Sequence, residues 1–193
     1  MYINSIDKKT LREISERFGE RFIKDPLFMF FCSDINKRKS FIYDYMMYYL
    51  PRFVDEEAVF IDKHATAVVT LVDPNDFEYK FKGLSGQKLK KYSFSSKVFL
   101  HKENLEEICE TVLPGNKQAM VLTVYSDPNG KFDSLRELIA EAVDFADREN
   151  ITLIYDTFSR KYIDYMQSKD FVVAYSKPFM DTQFIETAMT YNV

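Results

Sequence analysis

Behind Asp7, the apolar residues Leu11, Ile14, Phe18 and Phe22 recur at helical spacing. Asp is a residue type that caps helix N-termini, so the pattern predicts a helix starting there. It should end in KDPLF, because the residue before Pro26 is pushed out of helical geometry. FMFFCSD follows. A second helix is predicted from about Asn36 to Leu50, stopped by Pro51, with Phe41, Tyr45 and Tyr48 on one face and Ile42 and Tyr49 beside them. Then EAVFIDKHATAVVTLVDP gives two runs rich in Val, Ile, Phe and Thr around a polar turn at Asp62 to His64, the pattern of a β-hairpin. A third strand is expected near FEYKF. Between Lys82 and Asn116 the pattern is weak, apart from a short helix over KENLEEICETVL with Leu105, Ile108 and Cys109 inward.

The second half alternates more cleanly. AMVLTVYS, residues 119–126, reads as a buried strand. Ser134 and Glu137 have capping-box spacing, and Leu135, Leu138, Ile139, Ala142, Val143 and Ala146 then form one apolar stripe, closed by Asn150. ITLIYDT reads as a strand, SRKYIDYMQSK as a short helix, DFVVAYS as a strand and QFIETAMTY as a last strand. Strands alternating with helices predict α/β layers, and the early hairpin makes the central sheet mixed. With no repeat, low-complexity tract or linker visible, residues 1–193 are expected to form one domain.

Composition narrows the choice of function. Formal net charge is −4 and the pI near 5.3, which gives no electrostatic case for nucleic acid. No apolar run approaches the ~18 residues of a membrane span, and the N-terminus lacks the pattern of a secretory signal. Cys32 and Cys109 read as reduced, partly buried thiols, so a cytoplasmic protein is expected. The chain has 18 Phe and 13 Tyr but no Trp; most of these rings must be core, and a few Tyr could line a cavity. His64 lies in the hairpin turn and reads as solvated, and His101 precedes a charged stretch and is no better a candidate. No third ligand has metal spacing with them, so no metal site is expected.

What remains is YSDPNGKFDSLREL, which runs from strand through loop to helix start. The free N–H groups of a helix N-terminus favour an anion, and Lys131 could add a cation. A plain connection is the alternative.

Three stretches carry a family resemblance: FIKDPLFMFFCSDINKRKSFIYDYMMYYLPRF, the hairpin AVFIDKHATAVVTLVDP, and MVLTVYSDPNGKFDSLRELIAEAVDFADRENITLIYDTFSRKYIDYMQSKDFVVAY. In this order they resemble the GNAT acetyltransferase superfamily over most of the chain. Ser126-Asp127-Pro128 is similar to the Val-x-Pro that ends the family's cofactor-binding strand. RKYIDYMQSKDF is similar to the stretch usually ending in Phe-Tyr-x-x-x-Gly-Phe. The loop departs from the family's [Gln/Arg]-x-x-Gly-x-[Gly/Ala]. Phe132 and Ser134 stand where small residues are usual, Asp133 adds a negative charge, Met166 replaces a frequent Tyr, and Asp170 replaces a glycine.

The resemblance implies a GNAT-like acyl-CoA N-acyltransferase fold, with a mixed central sheet flanked by helices. It implies acetyl-CoA, or another acyl-CoA, held by Val124, Tyr125, Ser126, Gly130, Lys131, Phe132, Asp133 and Ser134. The acceptor would be a primary amine of a small molecule or peptide, entering beside Tyr45, Tyr48 and Tyr49, whose other reading is core packing. Tyr165, neighbour of Met166, would protonate the departing thiolate. No general base is assigned. Oligomeric state is left open, a dimer being one option. The altered loop keeps a second reading in play, a catalytically inactive GNAT-fold binding or regulatory module.

Overall fold

The structure is a computed structural model and describes residues 2–3, 5–56, 58–62, 66–73, 89, 91–92, 95–112, 119–126, 132–179 and 182–191. In chain order the elements are β1 (Tyr2–Ile3), α1 (Lys8–Arg21), a 3-10 turn (Phe22–Lys24), α2 (Pro26–Phe31) and α3 (Ile35–Glu56). They continue with β2 (Ala58–Ile61), β3 (Ala67–Val72), α4 (Ser95–Val112), β4 (Ala119–Ser126) and α5 (Phe132–Glu149). The chain closes with β5 (Thr152–Thr157), α6 (Arg160–Gln167), β6 (Val172–Pro178) and β7 (Ile185–Tyr191). The strands form one seven-stranded sheet in the order β1-β2-β3-β4-β5-β7-β6, antiparallel except for β4 against β5. The expected mixed sheet is what the chain forms.

Strand periodicity explains the two-sided core. Along β3, Val68 and Val72 join the apolar cluster under α1, α2 and α3, while Ala67, Val69 and Leu71 join the cluster under α5 and α6. A strand buried on both faces reads as a continuous apolar run, which is why AVVTLV shows no alternation. Helix α4 covers the first face further along, with Ile108 and Cys109 against Val121, Ile154 and Ala188.

Several expectations change in detail. Asp7 caps α1 as predicted, accepting from Lys9 N and Thr10 N. The run after KDP is not loop but a further helix, α2, with Asp25 as its cap and Pro26 at its first position, where a missing N–H costs nothing. Pro51 does not stop α3, which continues to Glu56 because Phe53 and Val54 still bury their side chains. The short helix over KENLEEICETVL is the second half of the longer α4. Ser134 is not a cap: α5 already has helical geometry at Phe132 and Asp133, so Ser134 is its third residue, and the Asp133 carboxylate sits in the positive first turn. Asn150 closes α5 with φ of 54°, the left-handed conformation in which Asn is tolerated. The strand expected near FEYKF lies outside the described residues.

Candidate functional site

The sheet opens in the middle. β4 and β5 pair only at Ala119 with Thr152, Met120 with Leu153 and Val121 with Ile154. Beyond these positions each strand keeps its outer partner: β4 stays on β3 as far as Ser126, and β5 stays on β7 as far as Thr157. The two therefore splay into a wedge whose inner backbone edges lack a ladder. The wedge lets groups from both faces of the sheet meet.

A cavity of about 160 Å³ occupies it. Thr123, Val124 and Tyr125 form one wall, and Tyr155 to Ser159 the other. Asp25 and Phe28 come from α2, Tyr45 and Phe53 from α3, His101 from α4 and Tyr162 from α6. Among the described residues that line it there is no Lys or Arg.

Asp25 is placed by its own cap. One oxygen of its carboxylate accepts from Leu27 N at 3.0 Å and Phe28 N at 3.2 Å, which fixes the side chain at the cavity wall. Arg38 fixes the backbone around it. Its guanidinium, buried, donates to the carbonyls of Ile23 at 2.6 Å, Cys32 at 2.7 Å and Ser33 at 2.9 Å, tying the 3-10 turn to the start of α3. Burial pushes the Asp25 carboxyl up to about 6, the two backbone N–H groups oppose this, and the Asp156 charge adds to it. A carboxylate tuned towards neutrality suits proton transfer.

On the other face of the wedge, Tyr162 Oη donates to Ser126 Oγ at 3.1 Å. Burial raises the Tyr162 hydroxyl above its usual value, Ser126 opposes, and the Asp25 charge adds. It stays protonated at neutral pH and close enough to Asp25 to feel its charge. Asp25 and Tyr162 thus stand at one end of the cavity.

The β5 wall is also acidic. Asp156 lines the cavity from β5, and Glu186 lies on the same sheet face of β7, diagonal to it, because Asp156 pairs with Ala188. Asn104 Nδ2 donates to Glu186 Oε2 at 2.8 Å. Burial raises Asp156 to about 6 while a hydrogen bond with Glu186 opposes; burial, with the Asp156 charge behind it, raises Glu186 to about 7. His101, one turn before Asn104 on α4, is 6% exposed and packs its ring against Phe31 and Phe179. Burial pushes it down to about 4, so it is neutral. His101, unpromising from the charged stretch that follows it, is cavity wall.

Of the residues expected at a cofactor site, Val124 and Tyr125 line the cavity and Ser126 holds Tyr162. Gly130 and Lys131 lie outside the described residues. Phe132, Asp133 and Ser134 open α5, where Asp133 is exposed with Arg136 at 3.9 Å. Of the expected pocket tyrosines, Tyr45 lines the cavity, whereas Tyr48 and Tyr49 are buried in ring packing with Tyr45 and Phe53. Tyr165 sits one turn beyond Tyr162 and is not cavity wall; it packs in the α5 core, with the Arg136 guanidinium 5.7 Å from its ring. Among the described residues no group of His, Cys, Asp and Glu could hold a metal ion, and no helix is long and apolar enough to cross a membrane.

No protein-family model matches the chain, and no curated protein sequence matches it. Solved structures do. The C-terminal condensation domain of Ebony, in complex with beta-alanyl-dopamine, superposes with a TM-score of 0.67 at 13% identity, over 100% of this chain and 98% of that one. The Salmonella typhimurium acetyltransferase yncA, with its cofactor acetyl-CoA, gives 0.53 at 14% identity over 99% and 92%. A further acetyltransferase gives 0.51 at 9% over 98% and 97%. The chain has the GNAT fold. In GNAT terms, the interrupted β4–β5 pairing is the wedge of the fold, and the cavity lies in it.

Proposed function

We propose that the chain is an acyl-CoA-dependent N-acyltransferase whose acceptor is a primary amine on an aromatic scaffold. The observation that carries this reading is the wedge itself: an unpaired β4 edge with Asp25 at one side and the Tyr162–Ser126 pair at the other. An extended thioester arm fits an open strand edge, because backbone N–H and C=O groups there need partners. Acyl-CoA would supply the activated acyl group when bound. Backbone N–H groups near Val124 to Ser126 would polarise its carbonyl. Asp25 would take the proton of the attacking amine, and Tyr162, whose hydroxyl stays protonated, would give one to the departing sulfur. Of Tyr162 and Tyr165, it is Tyr162 that stands among the described cavity lining, so the proton-donor role expected of Tyr165 is proposed for Tyr162.

The aromatic scaffold rests on the lining. Phe22, Phe28, Tyr45, Phe53, Tyr155 and Phe158 offer ring faces, which attract both an aryl group and an ammonium. A neighbour of the same fold holds beta-alanyl-dopamine, an amide of an arylethylamine.

Acetyl-CoA and 2-phenylethylamine are the test pair, with acetamide formation read by mass spectrometry. Asp25→Asn should lower kcat by roughly 100-fold or more and Tyr162→Phe by roughly 10-fold or more. Tyr165→Phe should leave turnover within about threefold. Equal effects of the two Tyr changes would return the role to neither ring. No transfer, and no heat on titration with acetyl-CoA, would sink the reading.

A further inference from the structure

Asp156 in the cavity wall and Glu186 behind it are acids that the proposed chemistry does not use. Glu186 is fully buried, and its Oε1 has no hydrogen-bond donor among the described residues. Its neighbour is the Asp156 carboxyl, and two carboxylate oxygens hold together only when one carries a proton. A second observation is independent of these acids. His101, about nineteen-twentieths buried in the same cavity wall, has an Nδ1 without a partner among the described residues. The Asp156 charge and the unmet His101 nitrogen, in a cavity whose described wall carries no cation, ask for a ligand that brings donors and positive charge.

The geometry points to the Asp156–Glu186 pair as the charge selector of this site. Asp156 is the anion that holds the ammonium of the incoming amine. Glu186 is a positioning residue behind it: it keeps the shared proton, donates it to Asp156, and is itself fixed by Asn104. The inference rests on the reading of the cavity as an amine site and adds a division of labour. Asp25, beside Tyr162, takes the proton, whereas Asp156 supplies the attraction that chooses a cation over a neutral molecule of the same shape. The pair works in a charged setting: Asp25 from α2, Cys109 from α4, Tyr155 from β5 and Tyr175 and Lys177 from β6 all interact with its charge.

Calorimetry with 2-phenylethylamine and with 2-phenylethanol, its neutral counterpart, reads this without turnover. Asp156→Asn should weaken the amine by about 10- to 100-fold and leave the alcohol within about twofold. Glu186→Leu should do the same. Glu186→Gln should rescue, because its amide N–H still donates to Asp156 and its oxygen still accepts from Asn104. Wild-type amine-to-alcohol ratios in both Asp156→Asn and Glu186→Leu would overturn the proposal. Should either variant fail to fold, the Asp25→Asn protein serves, since Asp156 is then the one described carboxyl that lines the cavity, with Glu186 behind it. Its amine affinity should fall about tenfold or more from about pH 7.5 to about pH 5, with the alcohol unaffected, and a flat profile would overturn the proposal. A protein that shows these differences but transfers no acetyl group would refute the transferase reading and leave the charge selector standing.

Discussion

Asp25 serves two masters, and a single substitution separates them. As the cap of α2 it needs only an acceptor oxygen, which Asn supplies equally well. As a half-buried acid its charge is a cost: folding raises its pKa from the usual carboxylate value to about 6. A group that binds its proton more tightly when folded adds stability below about pH 4, and loses that contribution as pH rises towards 6. Asp25→Asn should therefore raise stability at about pH 7.5 by about 2 kcal/mol while removing the catalytic carboxylate, and should change little at about pH 4. Chemical denaturation at both pH values measures it. Equal stability of the two proteins at the higher pH would mean that the Asp25 carboxylate is solvated. Tyr162 and His101 teach the same lesson about reading a sequence. Asp25 looks like a turn residue before proline and His101 like the edge of a charged stretch, and each acquires chemistry only from what burial does to it.

At the scale of elements, the segment that presents Asp25 is short and held from outside. α2 has six residues, too few to be stable by its own hydrogen bonds. Arg38 supplies the hold, with three carbonyls on one guanidinium, and Lys97 adds a bond to the Phe30 carbonyl at 2.6 Å. Lysine cannot reproduce that fork. Arg38→Lys should cost about 2–4 kcal/mol, since buried carbonyls are left unpaired, and should lower kcat more than acetyl-CoA affinity, because it is Asp25 that shifts. Loss of stability with kcat unchanged would separate Arg38 from the site. The opposite expectation holds for Ser134. Placed third in α5 rather than as its cap, it contributes little through its hydroxyl, and Ser134→Ala should be neutral or stabilising by a few tenths of a kcal/mol. A loss of about 1 kcal/mol on thermal melting would restore it as the cap. Asp170 explains a family glycine without one: its φ of 64° is the conformation glycine prefers, and Asp tolerates it.

At the scale of the whole molecule, the sheet order and the wedge come from pairings between distant segments, and this sets what could be read in advance. β4, β5 and β7 were legible because each is a largely buried apolar run bounded by turn residues, and β6, an exposed edge strand, by its run of Val, Val and Tyr. α2 was missed because Asp-Pro reads as a helix stop when it also starts a helix, and the passage of α3 through Pro51 was missed because tertiary burial of Phe53 and Val54 outweighs a lost backbone bond. The acids of the site were not legible at all. Asp25, Asp156 and Glu186 are distant in sequence: only the docking of α2 brings Asp25 to the cavity of Asp156, and only the β5–β7 register sets Glu186 behind Asp156. The wedge has a consequence that amide exchange can read along β4. Amides of Ala119 to Val121 lie where β4 pairs with β5, and Val121 is paired on β3 as well. Those of residues 122 to 126 that point away from β3 face an open edge, and they should exchange faster in the free protein. Acetyl-CoA laid along that edge should protect these amides, while amides at the paired base change little, and the β2–β3 hairpin should be indifferent. The pattern separates specific occupation of the wedge from general tightening, because any ligand that stabilises the whole fold slows exchange everywhere that requires global opening. Uniform protection, or protection confined to the α5 N-terminus, would place acetyl-CoA elsewhere than in the opening between β4 and β5.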